Sequence, residues 1–134
     1  MKKNVLFLCT QNSCHSQMAE GILRHFSKDE YDVFSAGINP TEVNKNAIEV
    51  MKEIGIDISH QKSKSFKEFA DRDFDVIITF YDHKDENSPT FWEKAQMLRW
   101  DLVDPSEGIS SQKDLLKAFR EVRDDIQHKI KEHF

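Results

Sequence analysis

The sequence predicts an α/β fold: a four-stranded parallel sheet with helices on both faces. Two observations predict it. Short apolar runs of strand length recur along the chain, and between them lie segments whose apolar residues return every three or four positions. Strands that alternate with helices in this way build parallel sheets covered by the helices. The 134 residues fit one domain, 1–134, with a core that needs no staples, and no linker-like or repetitive stretch divides it.

Val5-Leu6-Phe7-Leu8-Cys9 is continuously apolar and ends in a polar loop, the pattern of a buried parallel strand. The loop, Thr10 to Ser16, is rich in capping residues, and Met18, Ala19, Ile22, Leu23 and Phe26 follow at helical spacing. Tyr31 to Ser35 is the second strand, stopping at Ala36-Gly37. Val43, Ala47, Ile48, Met51 and Ile54 form the apolar face of a second helix that Gly55 closes. Residues 59–72 are charged, with Phe66, Phe69 and Ala70 offering two turns of helix. Val76 to Phe80 is the third strand, followed by a polar loop from Tyr81 to Pro89 and a short helix around Phe91 to Ala95. Met97 to Val103 is the fourth strand. Leu115, Phe119, Val122, Ile126 and Ile130 define the last helix, with Ser110 and Ser111 as its caps.

Nineteen basic and 24 acidic residues give a net charge of −5. That excludes the broad basic footprint of a nucleic-acid binder. No run is long enough to span a membrane, and Val5 to Cys9 is too short for a signal peptide. Two cysteines rule out a disulfide scaffold and point to a reducing cytoplasm. Composition is that of a soluble globular protein, and a monomer is expected.

In parallel sheets the ligand sits beyond the carboxyl ends of the strands, near a switch point, which is where residues 9–16 fall. Loop amides and a helix N-terminus there form a positive concavity suited to a tetrahedral oxyanion. The same field favours a cysteine as thiolate, the form that attacks phosphorus or arsenic. Ser13 and Ser16 can add hydroxyl hydrogen bonds, Ser16 directly to the Cys9 sulfur. Asn12 can bridge backbone groups and hold a strained turn, since asparagine tolerates left-handed conformations. The same Cys9 also fits a small buried hydrophobe. Cys9 and Cys14 as a zinc pair lack a second pair of ligands, and the His83-Lys84-Asp85-Glu86 run fits a solvated loop. No metal or other cofactor is expected.

The stretch Val5 to Glu20 resembles the signature of low-molecular-weight protein tyrosine phosphatases. It is most similar to their arsenate reductase branch, with the pattern C-T-x-N-S-C-R-S-x-M-A-E. Ser35-Ala36-Gly37, Asn44-x-x-Ala47, Gly55-Ile56-Asp57-Ile58-Ser59, Asp75-x-Ile77-Ile78-Thr79 and Trp100-x-Leu102-x-Asp104-Pro105 continue the likeness in order. The resemblance implies the low-molecular-weight phosphatase-like fold. It makes Cys9 the nucleophile, with Ser16 and His15 beside it in catalysis and Thr10, Gln11, Asn12, Ser13 and Cys14 binding the substrate. Asp104 would be the acid that protonates the leaving oxygen, and a carboxyl near a thiolate and an anion keeps its proton for that task. Arsenate or phosphate is the implied oxyanion.

Three departures bear on that expectation. Where the family's loop ends in arginine, this chain has His15, which is shorter and offers the ligand one donor. Losing the two-pronged grip weakens oxyanion stabilisation by about 2–4 kcal/mol unless Arg24, Lys62 or Lys64 compensates. The relay cysteines of thioredoxin-coupled arsenate reductases align with Tyr81 and Ser88, so an external thiol, from thioredoxin, glutaredoxin or a small thiol, must resolve the Cys9 adduct, or Cys14 must. Cys14 also matches a protective disulfide partner in related phosphatases. Finally, Lys62 and Lys64 align with ligands of a potassium ion beside the loop, so an ammonium next to Glu20 could replace that cation. Ser106-Glu107-Gly108 stands where phosphatases wall an aryl slot with tyrosines, favouring a small inorganic oxyanion. Thiol-dependent arsenate reduction is the leading expectation. A phosphomonoesterase acting through phosphocysteine and an impaired oxyanion-binding protein are the alternatives.

Overall fold

Apolar side chains on both faces of a strand force it into the middle of a covered sheet, and β1 (Lys3–Cys9) occupies that position. A computed structural model of the chain describes residues 2–27, 29–81, 92, 94–105 and 108–134. Among them β1, β2 (Tyr31–Gly37), β3 (Val76–Thr79) and β4 (Gln96–Arg99) form one parallel sheet in the order β2-β1-β3-β4. The helices are α1 (His15–Ser27), α2 (Lys45–Lys52) and α3 (Gln112–His133), with a 3₁₀ helix at Phe66–Phe69.

The pleat divides β1 between two clusters. Val5 and Phe7 join the buried residues of α1, α2 and α3, among them Met18, Ile22, Met51, Phe119 and Ile126. Leu6 and Leu8 face the other way, towards Phe74, Ile77 and Trp92, with Phe66 and Phe69 of the 3₁₀ helix packed against them. Helices therefore cover both faces, α-helices on one and the 3₁₀ turn on the other. Phe34, Phe69, Phe74 and Trp92 meet there edge-on. Arg120 and Arg123 of α3 grip Glu53 just after α2 and hold its carboxyl below the usual range, chiefly through the Arg120 hydrogen bonds.

The chain leaves β1 for β2 on one side and returns past it to β3 on the other. The carboxyl end of β1 thus sits at the switch point, where a crevice opens.

Several boundaries differ from the sequence expectation. β2 runs on to Gly37, because Ser35, Ala36 and Gly37 pair with Phe7, Leu8 and Cys9. The two turns expected around Phe66 are a single 3₁₀ turn, closed by a Ser65/Glu68 capping box. The fourth strand stops at Arg99, not Val103: after Trp100 the chain turns from the sheet towards the mouth of the crevice. Gly55 does close the second helix, at φ +78°. Ser111 caps α3, accepting from the Asp114 N–H. Most of the polar loop and short helix expected over 81–95 lies outside the described residues, as do His83 to Glu86, Ser88 and Ser106-Glu107.

Candidate active site

Cys9 is the last residue of β1, and the chain then loops to His15, the first residue of α1. The loop carbonyls are turned outward. Those of Cys9, Thr10, Gln11 and Ser13 accept from the backbone N–H groups of Ile38, Asn39, Thr41 and Asn44. The Asn12 carbonyl accepts from Gln17 Nε2 at 3.1 Å and from Ser63 Oγ at 2.7 Å. In a planar trans peptide the next N–H points the opposite way, so the amides of residues 10–14 turn inward. The Asn12 N–H displays the consequence: it donates to Cys9 Sγ at 2.9 Å. Such a ring of amides is an anion nest.

Ser16 Oγ lies 2.8 Å from the Cys9 sulfur, the partner expected from sequence. Asn12 Nδ2 donates to the same hydroxyl at 2.8 Å, which leaves the hydroxyl proton for a Cys9 thiolate. Asn12 has φ +51° and is fully buried, so it anchors the turn from beneath. Its Oδ1 accepts from the Lys64 N–H at 2.8 Å. Gln17, also fully buried, ties the Asn12 carbonyl to that of Lys62, and Gln61 donates to Gln17 Oε1 at 2.7 Å. Residues 61–64 thus form a strap under the loop. Gly37 completes the support: a Cβ there would lie 2.8 Å from Asn12 N and 2.9 Å from Gln11 C.

A cavity of about 290 Å³ opens over this loop, lined among others by Cys9, Gln11, Ser13, Cys14, His15 and Asp104. Thr10, Asn44 and Phe80 also line it, whereas Asn12 and Ser16 act from behind. The structure therefore brings Cys9 and Asp104, 95 positions apart in the chain, to one crevice. Cys9 and Cys14 are both free thiols. Burial, with Cys9 and Asp104 nearby, pushes the Cys14 thiol far up, so it stays protonated.

His15 is placed differently from what the sequence suggested. Its Nε2 lies 2.8 Å from the Val103 carbonyl, an acceptor only, so Nε2 carries the proton and spends it there. The ring stacks on Phe80 at 5.4 Å between centroids. Burial outweighs the Val103 bond and Asp104 and holds the imidazole below its ordinary range, hence neutral. Arg24 does not make good the missing loop arginine, because it binds Glu20 and the Val33 carbonyl. Lys64 does not either: its ammonium is 2.8 Å from the Lys62 carbonyl and 3.7 Å from Glu20 Oε1. Glu20, almost fully buried, also accepts from Ser35 Oγ at 2.6 Å. Among the described residues no group of three or more His, Cys, Asp or Glu could hold a metal. No helix among them is long and apolar enough to cross a membrane.

Sequence reasoning passed over Gln17, Ser63 and Phe80. Gln17 carried a weak signal, a polar residue on the buried side of α1 directly after the loop.

Residues 4–134 match the family model for low molecular weight phosphotyrosine protein phosphatase. The chain belongs to that family. Within it, an arsenate reductase of Halalkalibacterium halodurans is 41% identical over 130 residues, 97% of this chain and 94% of that one. Among solved structures, an arsenate reductase in its phosphate-binding state matches with a TM-score of 0.82 at 34% identity, covering 97% of this chain and 95% of the other. A low-molecular-weight protein tyrosine phosphatase from T. tengcongensis matches at 0.77 and 28% identity, over 97% and 96% of the chains.

Proposed function

We infer that this phosphatase-family chain is an arsenate reductase, working through a Cys9 adduct held in the oxyanion loop. The observation that carries the reading is the inward ring of amides over residues 10–14 with the Cys9 sulfur at its floor. Such a ring binds a tetrahedral oxyanion and sets the sulfur against its central atom.

The Cys9 thiolate attacks As(V), forming an S–As bond, and an arsenate oxygen leaves as water with the proton of Asp104. A thiolate from outside the chain then attacks the Cys9 sulfur. The S–As bond breaks with its electron pair on arsenic, releasing As(III) as arsenite and leaving a mixed disulfide on Cys9. A second thiol frees Cys9, so two thiols are oxidised for each arsenic reduced. Cys14 is a poor candidate for the attacking thiol, since burial keeps it protonated. With Tyr81 and Ser88 at the relay positions, the reductant is external: thioredoxin, glutaredoxin or a small thiol. The cavity over the loop, about 290 Å³, suits a small inorganic ion and leaves room for an approaching thiol. Lys64 occupies the neighbourhood of Glu20, which favours activity without potassium. We place the protein in the cytoplasm, acting as a monomer.

The test is arsenite formation by reduced protein with each class of thiol, against Cys9→Ser. Phosphate ester hydrolysis through a phosphocysteine would use the same sulfur and acid, and a burst from an aryl phosphate without arsenate turnover would favour it. Oxyanion binding without either reaction would mark an impaired protein.

A further inference from the structure

Asp104 stands in a segment that has left the sheet, where Arg99 Nε donates to Asp101 Oδ1 at 2.7 Å and Leu102 packs against the core. Val103 is 74% exposed, Asp101 and Asp104 are exposed, and Leu102 is half-buried, while Pro105 is the buried end of the stretch. β4 has already ended at Arg99. From the oxyanion loop the His15 ring reaches this segment, with Nε2 2.8 Å from the Val103 carbonyl, one residue before Asp104. The ring is itself fixed. It is the first residue of α1 and lies flat on Phe80, which stacks on Phe7 at 6.3 Å and meets Trp100 edge-on at 6.0 Å.

We propose that His15 is a positioning residue: its Nε2–H clamps the 101–105 segment to the oxyanion loop and so sets the Asp104 carboxyl over the Cys9 sulfur. The proposal rests on the reading of Asp104 as the proton donor. It gives His15 a task that the oxyanion does not share. A side chain whose donors all gripped the oxyanion would leave the Val103 carbonyl without this bond, so the histidine exchanges direct charge stabilisation for control of the acid. Proton transfer is steep in donor–acceptor distance, so a loosened acid lowers the chemical rate while leaving ground-state binding nearly intact.

Two variants separate the ring from its donor. His15→Phe keeps the stack on Phe80 and has no N–H. His15→Gln places an amide N–H where Nε2 stands. The first readout is the backbone 15N order parameters of residues 101–104 in reduced protein with saturating inorganic phosphate. They are expected to fall in His15→Phe and hold in His15→Gln, with residues 9–14 unchanged in both. The second is arsenate reduction with Cys9 reduced and a small external thiol in excess, read as rate against arsenate concentration. His15→Phe is expected to lose about tenfold in rate with the arsenate KM within twofold, His15→Gln to recover most of it, and His15→Phe to cost nothing further in an Asp104→Asn background. Unchanged order parameters in His15→Phe overturn the clamp, as does a rate loss that persists in full on Asp104→Asn or falls on KM. If the wild-type protein converts no arsenate, the reductase reading fails, and the order parameters alone decide the clamp.

Discussion

The Cys9 sulfur and the Ser16 hydroxyl are 2.8 Å apart, and the oxygen of that hydroxyl already accepts from the Asn12 side-chain amide. One lone pair of Ser16 Oγ is thus engaged, and its proton is available to a Cys9 thiolate, beside the Asn12 N–H. A hydrogen bond to a charged group contributes about 1.5–3 kcal/mol. Ser16→Ala should slow alkylation of Cys9 by iodoacetamide at neutral pH by about tenfold or more. In the wild-type protein mass spectrometry should find Cys9 labelled and Cys14 spared, because burial keeps Cys14 a thiol.

Gly37 supports the loop by having no side chain. Gly37→Ala forces a methyl group within 3 Å of Asn12 N and Gln11 C, both backbone atoms that cannot swing aside. Overpacking of this kind costs about 1–3 kcal/mol, and the atoms displaced belong to the anion nest. Chemical denaturation should register the loss. Stabilisation by added phosphate should shrink well beyond that of a surface alanine variant.

Glu20 is buried with Arg24 at 2.8 Å and Lys64 at 3.7 Å. Lys64→Ala removes one cation and leaves the other, so the loss should stay below the about 3–5 kcal/mol of a buried pair stripped of its partner. Arsenate turnover by the wild-type protein should be the same in potassium and tetramethylammonium chloride at equal ionic strength. A potassium-dependent rate would contradict the place given to Lys64.

His15 links stability to pH. Its folded pKa lies below the ordinary imidazole value, so the unfolded chain takes up this proton first as pH falls. The neutral ring thus contributes its full share above about pH 6.5 and loses it progressively as pH drops towards the folded value. His15→Gln keeps a donor for Val103 but does not titrate. Urea midpoints at pH 8, 6 and 5 should decline more steeply for the wild-type protein than for this variant; parallel declines would show that His15 titrates alike in both states.

Much of the site could be read from residues 5–20. An apolar strand delivering Cys9 to a polar loop, Asn12 in a left-handed turn and Ser16 on the sulfur are all local relations, and local relations are written in consecutive residues. The position of Lys64 beside Glu20 came through family likeness rather than spacing. What stayed hidden depends on partners far along the chain. His15 meets Val103, 88 residues away, and no feature of either residue announces the pairing. The end of β4 was hidden for a related reason. Trp100, Leu102 and Val103 are as apolar as a strand requires, yet the segment leaves the sheet to carry Asp104 to the crevice. At Phe66 two phenylalanines three apart suit one tight 3₁₀ turn as well as a longer helix, so their spacing does not separate the two.

Arsenite production from arsenate by fully reduced protein, supplied in turn with thioredoxin, glutaredoxin and small thiols, decides whether Cys9 carries arsenate reduction. Turnover with at least one of these reductants and none in Cys9→Ser is expected, with Cys14→Ser retaining most of the rate. Turnover that survives Cys9→Ser, or absence of turnover with every reductant, would contradict it.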